Sequence, residues 1–399
     1  MIDTDVVIAG AGPVGLTLAI YLARQKIGVT VLERDQTLNQ SPRAMVYLHN
    51  LMKDLDEIGM LDGMRRIAHE DHDGFTMHLP AFDEVINIPM SALDDIDPYP
   101  YNLHLGQGEY CQVALDLLSE LPHATVIFGA EVIDRTEDHT GITVRYLHEG
   151  SEKTVRAGWL VGADGGQSTV RKMIGGVLEG TTWGERFVAT NVRFDFRSRG
   201  FNSSNMYVDA EIGCIVAQIT PDGLWRCTYQ EPESLPEETV HERIEAHFVR
   251  LLGEADAAKV KVVDFRPYRM HQRLSSTLRG GRLVLAGDAA HLTNPTGGLG
   301  LTTGLYDAML LQEALVAVIR GGADASVLDA YAAERARVFL EVSSPNATNF
   351  KRLVYDSTDI SALHTAVAPF RAASATLEGQ RAFYTGVDLV RSPSVLPVN

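Results

Sequence analysis

A mixed α/β fold is predicted for this chain of 399 residues: a Rossmann-type, doubly wound domain interrupted by a mainly β insertion. Three observations predict it. Strand, tight glycine turn and helix recur in that order at three places. A run of strand-type stretches lies between the second and the third. Apolar residues at 45% and charged residues at 22% are ordinary globular values, in a chain long enough for two domains and a sizeable core.

The first turn comes early. Residues 5–9 are a short apolar run of strand type, followed directly by Gly10-Ala11-Gly12-Pro13-Val14-Gly15. Apolar residues then recur at helical spacing over 16–25, and 29–32 returns to strand composition. Gly10 permits the turn, Gly12 lets the backbone approach a pyrophosphate, and Gly15 allows close packing of helix on sheet. The helix start offers free N–H groups and a positive dipole end to phosphates. Glu33 ends the second strand where a carboxylate can accept from a ribose 2′-hydroxyl. This pattern points to a dinucleotide site.

Beyond Arg34, residues 36–42 read as loop and 43–60 as a helix with Leu48, Leu51, Met52, Leu55 and Ile58 on one face. Strands follow over 75–88, a loop with two prolines over 94–101, a helix over 112–121, and strands over 124–132 and 142–148. The second turn is Gly162-Ala163-Asp164-Gly165-Gly166, leading into Ser168-Thr169-Val170-Arg171. Strand-type stretches at 187–196, 206–219 and 224–230 come next, then a helix over 238–252 and a strand over 260–265. The third turn follows strand 282–286 with Gly287-Asp288 and runs through Pro295 and Gly298-Leu299-Gly300-Leu301-Thr302 into a helix over 305–319. Residues 327–353 read as helical, and the tail is mixed, its last residues poorly ordered.

Thirty-five Lys and Arg against 52 Asp and Glu give a formal charge of −17. That argues against nucleic acid or an anionic membrane as a main partner, because phosphate binding needs clustered positive charge. Cys111, Cys214 and Cys227 are far apart and form no C-x-x-C, and no histidine pair has ligand spacing. No metal site is therefore expected, and a reducing cytoplasm fits. No apolar run approaches the roughly 18 residues needed to span a bilayer. The chain enters its first strand at once, leaving no room for a signal peptide.

Taken together, GAGPVG with Glu33, GADGGQSTVR and LVLAGDAAHLTNPTGGLG resemble the class A flavin monooxygenases in order and spacing. These are FAD-dependent aromatic hydroxylases typified by p-hydroxybenzoate hydroxylase. The resemblance runs from about residue 4 to residue 345 and includes His271-Gln272-Arg273. It implies that Gly10, Gly12, Pro13, Val14, Gly15 and Glu33 hold the ADP half of FAD, with Arg34 and Val132 near the adenine. Arg43 would contact the flavin nucleotide, Gln107 the ribityl chain, and Asp288 the ribityl hydroxyls. Asp164 would serve FAD, and Arg171 the NAD(P)H. Pro295 would sit at the substrate and at the flavin, with Gly298, Gly300, Leu301 and Thr302 beside the pyrimidine end. Thr302-Thr303 departs from the asparagine common there.

The implied architecture is a discontinuous FAD-binding domain of residues 1–74, 102–178 and 266–345. A substrate domain with a β-sheet would comprise 75–101 and 179–265, and a helical or irregular segment 346–399. The implied reaction is hydroxylation of a phenolic or N-heteroaromatic compound with NAD(P)H and O2, through a C4a-hydroperoxyflavin on a non-covalently held FAD. No second G-x-G-x-x-G exists to give NAD(P)H a Rossmann site of its own. Arg193, Tyr207, Gln218 and Tyr229 are the candidates to line the ring pocket beside Pro295, and no catalytic residue is assigned. The protein is expected as a cytoplasmic monomer or homodimer. Two other readings share the pattern: an FAD-dependent dehydrogenase or reductase of the same fold, and a non-catalytic nucleotide-sensing module.

Overall fold

A computed structural model describes residues 3–39 and 44–396. At its centre is the strand Thr4–Ala9, hydrogen-bonded in parallel to Val29–Glu33 on one side and Ser151–Gly162 on the other. Ala124–Phe128 and Leu283–Leu285 extend this sheet in parallel at either side. Val6 and Ile8 face one core cluster, Val7 and Ala9 another, so both faces are buried. An unbroken apolar run is what such a two-sided strand requires. Ala130–Asp138, Gly141–His148 and Ser151–Gly162 form an antiparallel ribbon on the same sheet.

A second, eight-stranded sheet runs in the order His291–Leu292, Lys261–Ser275, Leu178–Arg193, Leu224–Pro232, Cys214–Gln218, Ser204–Tyr207, Phe75–Leu79 and Glu84–Ile88. Its one parallel pair is Ser204–Tyr207 with Phe75–Leu79. A small third sheet pairs Val46–Tyr47 and His69–Asp71 with Asn102–His104.

Several sequence boundaries change. The helix expected over 43–60 begins instead as a strand, because Val46 and Tyr47 pair with His104 and Leu103; helix follows only over Met52–Glu57. β-Branched and aromatic residues next to an open edge prefer that pairing. The strand expected over 124–132 breaks at Gly129, whose φ of 64° only glycine adopts easily. The strand expected over 206–219 is two strands, separated where Asp209 Oδ1 accepts from the backbone N–H groups of Glu211 and Ile212. The tail is helical over Ile360–Ser374 and Leu377–Thr385. The expectation that no segment is long and apolar enough to cross a membrane also needs correction. Leu299–Ile319 passes by length and composition, and 61% of its apolar window is buried inside the fold.

That helix carries Asp307, fully buried and charged. One of its oxygens accepts from His291 Nε2 at 2.7 Å and from Gly287 N at 2.7 Å. The other accepts from Arg335 Nε at 2.6 Å. Burial pushes the carboxyl up, but His291 and Arg335 outweigh it and hold it below the usual range. Arg335 also donates to the carbonyls of Thr303 and Val390, each at 3.0 Å.

Removing one partner of a buried pair leaves an uncompensated charge. Arg335→Leu should therefore destabilise the protein by about 3–5 kcal/mol. Arg193→Leu, which breaks only an exposed pair with Asp222, should change it by less than about 1 kcal/mol. Urea unfolding of both variants measures the contrast. A second expectation concerns pH. Burial, helped by the charge of His104, lowers the His69 imidazole to about 4, against about 6.5 in the unfolded chain. The unfolded state then binds more protons between those values, so stability is lost as pH falls from 6.5 to 4. His69→Asn should flatten that slope in thermal melts.

Candidate functional site

A cavity of about 1390 Å³ lies between the two large sheets. Ordinary small-molecule pockets measure about 300–1,000 Å³, so there is room for a dinucleotide and a second ligand. On the first sheet's side it is lined by Gly10, Gly12, Pro13, Val14, Glu33, Arg34, Gln107, Val132, Asp164, Asp288, Gly298, Gly300 and Leu301. Three turns far apart in sequence thus share one wall.

The wall suits a phosphate-bearing cofactor. The helices Pro13–Arg24 and Leu299–Ile319 both start at it, with Gly12 and Gly298 as N-caps, no capping side chain and no acid in the first turn. Their first N–H groups are available to an anion. A methyl group added at Gly12, Gly165 or Gly298 would meet nothing within 4 Å, so each glycine leaves open space. Gly10 and Gly15 act differently. A side chain at Gly15 would overlap the Gly10 carbonyl, and one at Gly10 would overlap Ala163. These two glycines let turn, helix and neighbouring strand pack together, which places Gly15 behind the wall.

Glu33 accepts from Ala11 N at 2.7 Å and from Asp35 N at 2.9 Å, bracing the first turn from the end of its strand. Asp164 accepts from Thr169 N and Val170 N at 2.7 and 3.1 Å and also from Ser168 Oγ, so it fixes the start of the helix after the second turn. Arg171 does not line the cavity. It is buried and donates to the carbonyls of Gly166 and Ala289, tying the second turn to the third. Thr302 is also buried, bonded to the carbonyl of Gly298. Arg43 lies outside the described residues.

Pro295, expected at the substrate and the flavin, lines the cavity. Gln272 holds its loop: the glutamine Oε1 accepts from Asn294 N and Nδ2, both at 3.1 Å, and its Nε2 donates to Thr293 Oγ1 at 2.8 Å. The His271-Gln272-Arg273 motif carried the signal, but the motif alone does not say what the glutamine holds.

On the second sheet's side the wall follows the pleat. Ser204 is flanked by Phe75 and Ala217, and Ala217 by Arg226, in one row across the sheet. Met206, Ile215, Thr228, Ala189 and Arg266 form the next row, and all of these residues line the cavity. The four ring-pocket candidates lie elsewhere. Tyr207 and Tyr229 have the opposite parity and pack on the far face, where Tyr229 stacks on His247 at 4.2 Å. Gln218 donates to the Thr220 carbonyl. Arg193 closes its strand at the surface with Asp222. Alternation of side chains across a pleated strand accounts for the two tyrosines. Arg226 is 9% exposed, and burial pulls its guanidinium down to about 10, so it is still a cation at neutral pH.

Phe350, Phe370, Phe383 and Tyr384 complete the cavity from the C-terminal helices. Phe75 meets Phe383 at 5.0 Å and stacks on Phe370 at 5.7 Å. Nothing local in the sequence marks these rings. On the sheet's far face the fold gathers Cys214, Cys227 and His247, with ligand atoms within 4.8 Å of one another. Sequence spacing argued against a metal-ligating group; two adjacent strands bring the cysteines together, and the helix Val240–Leu252 packed on them brings His247. Burial pushes the Cys214 thiol up, while hydrogen bonding from Cys214, with a lesser contribution from His247, takes Cys227 down to about 6.

Residues 3–344 match the family model described as "FAD binding domain". Para-nitrophenol 4-monooxygenase of a Pseudomonas species is 41% identical over 344 residues, covering 86% of this chain and 85% of that protein. The 6-hydroxy-3-succinoylpyridine 3-monooxygenase of Pseudomonas putida is 39% identical over 356 residues, covering 88% of each. The crystal structure of p-nitrophenol 4-monooxygenase from Pseudomonas putida superposes with a TM-score of 0.91 at 36% identity, over 97% of this chain and 98% of that one. With its three glycine turns on one cavity wall, the chain belongs to the class A FAD-dependent aromatic monooxygenases.

Proposed function

We propose that the protein is a single-component flavoprotein monooxygenase of the cytoplasm, hydroxylating a phenolic or N-heteroaromatic ring with NAD(P)H and O2. One observation carries the reading: a glycine-lined wall and a wall of apolar and aromatic side chains enclose the same cavity. The names of the two similar relatives, a nitrophenol and a hydroxypyridine monooxygenase, support a hydroxylated ring as substrate.

FAD bound there would supply the redox and oxygen-activating chemistry after reduction by NAD(P)H. The chain's own residues bind, orient and keep water out. Backbone N–H groups at Gly12 and at the start of Leu299–Ile319 would meet the pyrophosphate and the electron-rich end of the flavin. Asp288 and Gln107 would hold the ribityl chain, and Arg34 and Val132 the adenine end. The phenylalanine wall and Met206, Ile215 and Ala217 close the ring chamber against water. Arg226 offers a cation to a negatively charged ring oxygen.

Wild-type protein screened against phenols and hydroxypyridines should show stimulated NAD(P)H oxidation together with incorporation of labelled oxygen from O2. Stimulation without incorporation would favour the dehydrogenase or reductase reading. Mild acid precipitation should release the FAD, since the attachment is non-covalent. Gly12→Val should leave the unfolding midpoint of the apoprotein nearly unchanged, because the added atoms enter open space, yet sharply reduce FAD retained on gel filtration. Asp288→Ala should weaken FAD binding by about 1.5–3 kcal/mol, the worth of a charged acceptor. FAD titration of the apoprotein checks both variants.

A further inference from the structure

The structure assigns a buried zinc site to Cys214, Cys227 and His247, on the back of the sheet whose front forms the ring wall. It is independent of the hydroxylase reading. Cys214 pairs with Tyr229, and Cys227 with Val216, on adjacent antiparallel strands, so both thiols leave the sheet on one face. The helix Val240–Leu252 packs on that face and carries His247. Both cysteines are 0% exposed and the histidine 7%.

The three ligating atoms all lie within 4.8 Å of one another, and Cys227 Sγ is 3.7 Å from His247 Nε2. Zinc bonds of about 2.3 Å to sulfur and about 2.0–2.1 Å to nitrogen, at tetrahedral angles, place ligand atoms roughly 3.5–3.8 Å apart. The remaining edges therefore need to close by no more than about 1 Å. A hydrogen-bonded chain from Cys214 through Cys227 to His247 needs only two of the three contacts. Its ends have no reason to converge, and here they do. Tyr229 stacks flat on the imidazole at 4.2 Å and fixes its plane. The Tyr229 hydroxyl is buried with no partner among the described residues, which leaves an oxygen near the imidazole for the fourth position.

The charges also fit. The cluster sits among Val188, Phe196, Val216, Trp225 and Phe248, where an unpaired ion is costly. Hydrogen bonding from Cys214, with less from His247, takes the Cys227 thiol down to about 6, so a thiolate is at hand at neutral pH. Burial pushes the Cys214 thiol up, and coordination would ionise it. Loading releases two protons, one from each thiol, and the imidazole stays neutral with Nε2 on the metal. The ion's two positive charges cancel the two thiolates, so no net charge is buried. Glu231, two residues beyond Tyr229 on the same strand, is already paired with Arg186 and Arg243. Thiolate and imidazole suit zinc, whereas magnesium and calcium want oxygen. Ile215, Arg226 and Thr228, which alternate with the cysteines, line the cavity, so the ion would brace the ring wall from behind.

The test uses untagged, FAD-loaded enzyme from cells grown with added zinc and purified without chelator. Elemental analysis should find about one zinc ion per wild-type chain. Cys227→Ser and His247→Asn should lose most of it, while FAD retained on gel filtration shows that each is folded. Cobalt supplied in place of zinc should give wild type the strong red-region absorption of tetrahedral, thiolate-bound cobalt, where oxidised flavin does not absorb. That spectrum decides the question even where a variant fails to fold. Wild type with neither zinc nor the cobalt band would overturn the site, and so would equal zinc in wild type and both folded variants. Weak octahedral cobalt bands would place the metal on surface oxygens and overturn it as well. Incorporation of labelled oxygen reads the hydroxylase activity separately, so neither result decides the other.

Discussion

Asp307 keeps a negative charge in the middle of the protein, and the position of the cavity follows from how that charge is met. Its partners come from three parts of the chain: Gly287 in the third turn, His291 just after it, and Arg335 on the following helix. Arg335 reaches on to the carbonyl of Thr303, in the first turns of Leu299–Ile319, and to that of Val390, which lines the cavity. A buried ion pair is poor evidence of stability by itself, since an apolar replacement can be as stable. Its effect here is geometric. No oxygen of Asp307 can move without abandoning a donor, so turn, helix start and tail are held in one arrangement around the cofactor wall.

The second sheet faces a different constraint, that of the pleat. Its strands divide their residues between the cavity and a core packed under the helix Val240–Leu252. Chemistry-bearing residues are spread over both faces. Ser204, Arg226 and Thr228 face the cavity; Tyr207, Cys214, Cys227 and Tyr229 face the helix. Reading the sequence for polar and aromatic residues selects both sets equally. Choosing between them needs the register, and register is set by pairing across strands as far apart in sequence as those of Phe75 and Ser204.

This explains what was legible and what was not. The glycine turns could be read because each is local: strand, turn and helix lie within about thirty residues, and backbone sterics dictate the glycines. The second sheet's existence could be read from composition. Arg171 was misplaced because an arginine in a phosphate-binding motif reads as a ligand, whereas the fold uses it to join two turns through carbonyls. The phenylalanine wall could not be read at all, since Phe75 meets Phe370 and Phe383 only after the C-terminal helices return across the chain. The same holds for Cys214, Cys227 and His247, which are ordinary in sequence and adjacent in space.

Oxygen transfer and substrate ionisation make opposite demands on one cavity. The first wants a dry, apolar chamber, which the phenylalanines and the Met206 row provide. The second wants a charge close to the ring oxygen, whose exposure would draw water in. Burying that charge in the wall reconciles them: Arg226 is sunk in the wall rather than projecting across the chamber. The ring therefore meets apolar surface on most sides and polar groups where its oxygen must sit, so selecting a hydroxyl-bearing ring and activating it become one geometric requirement.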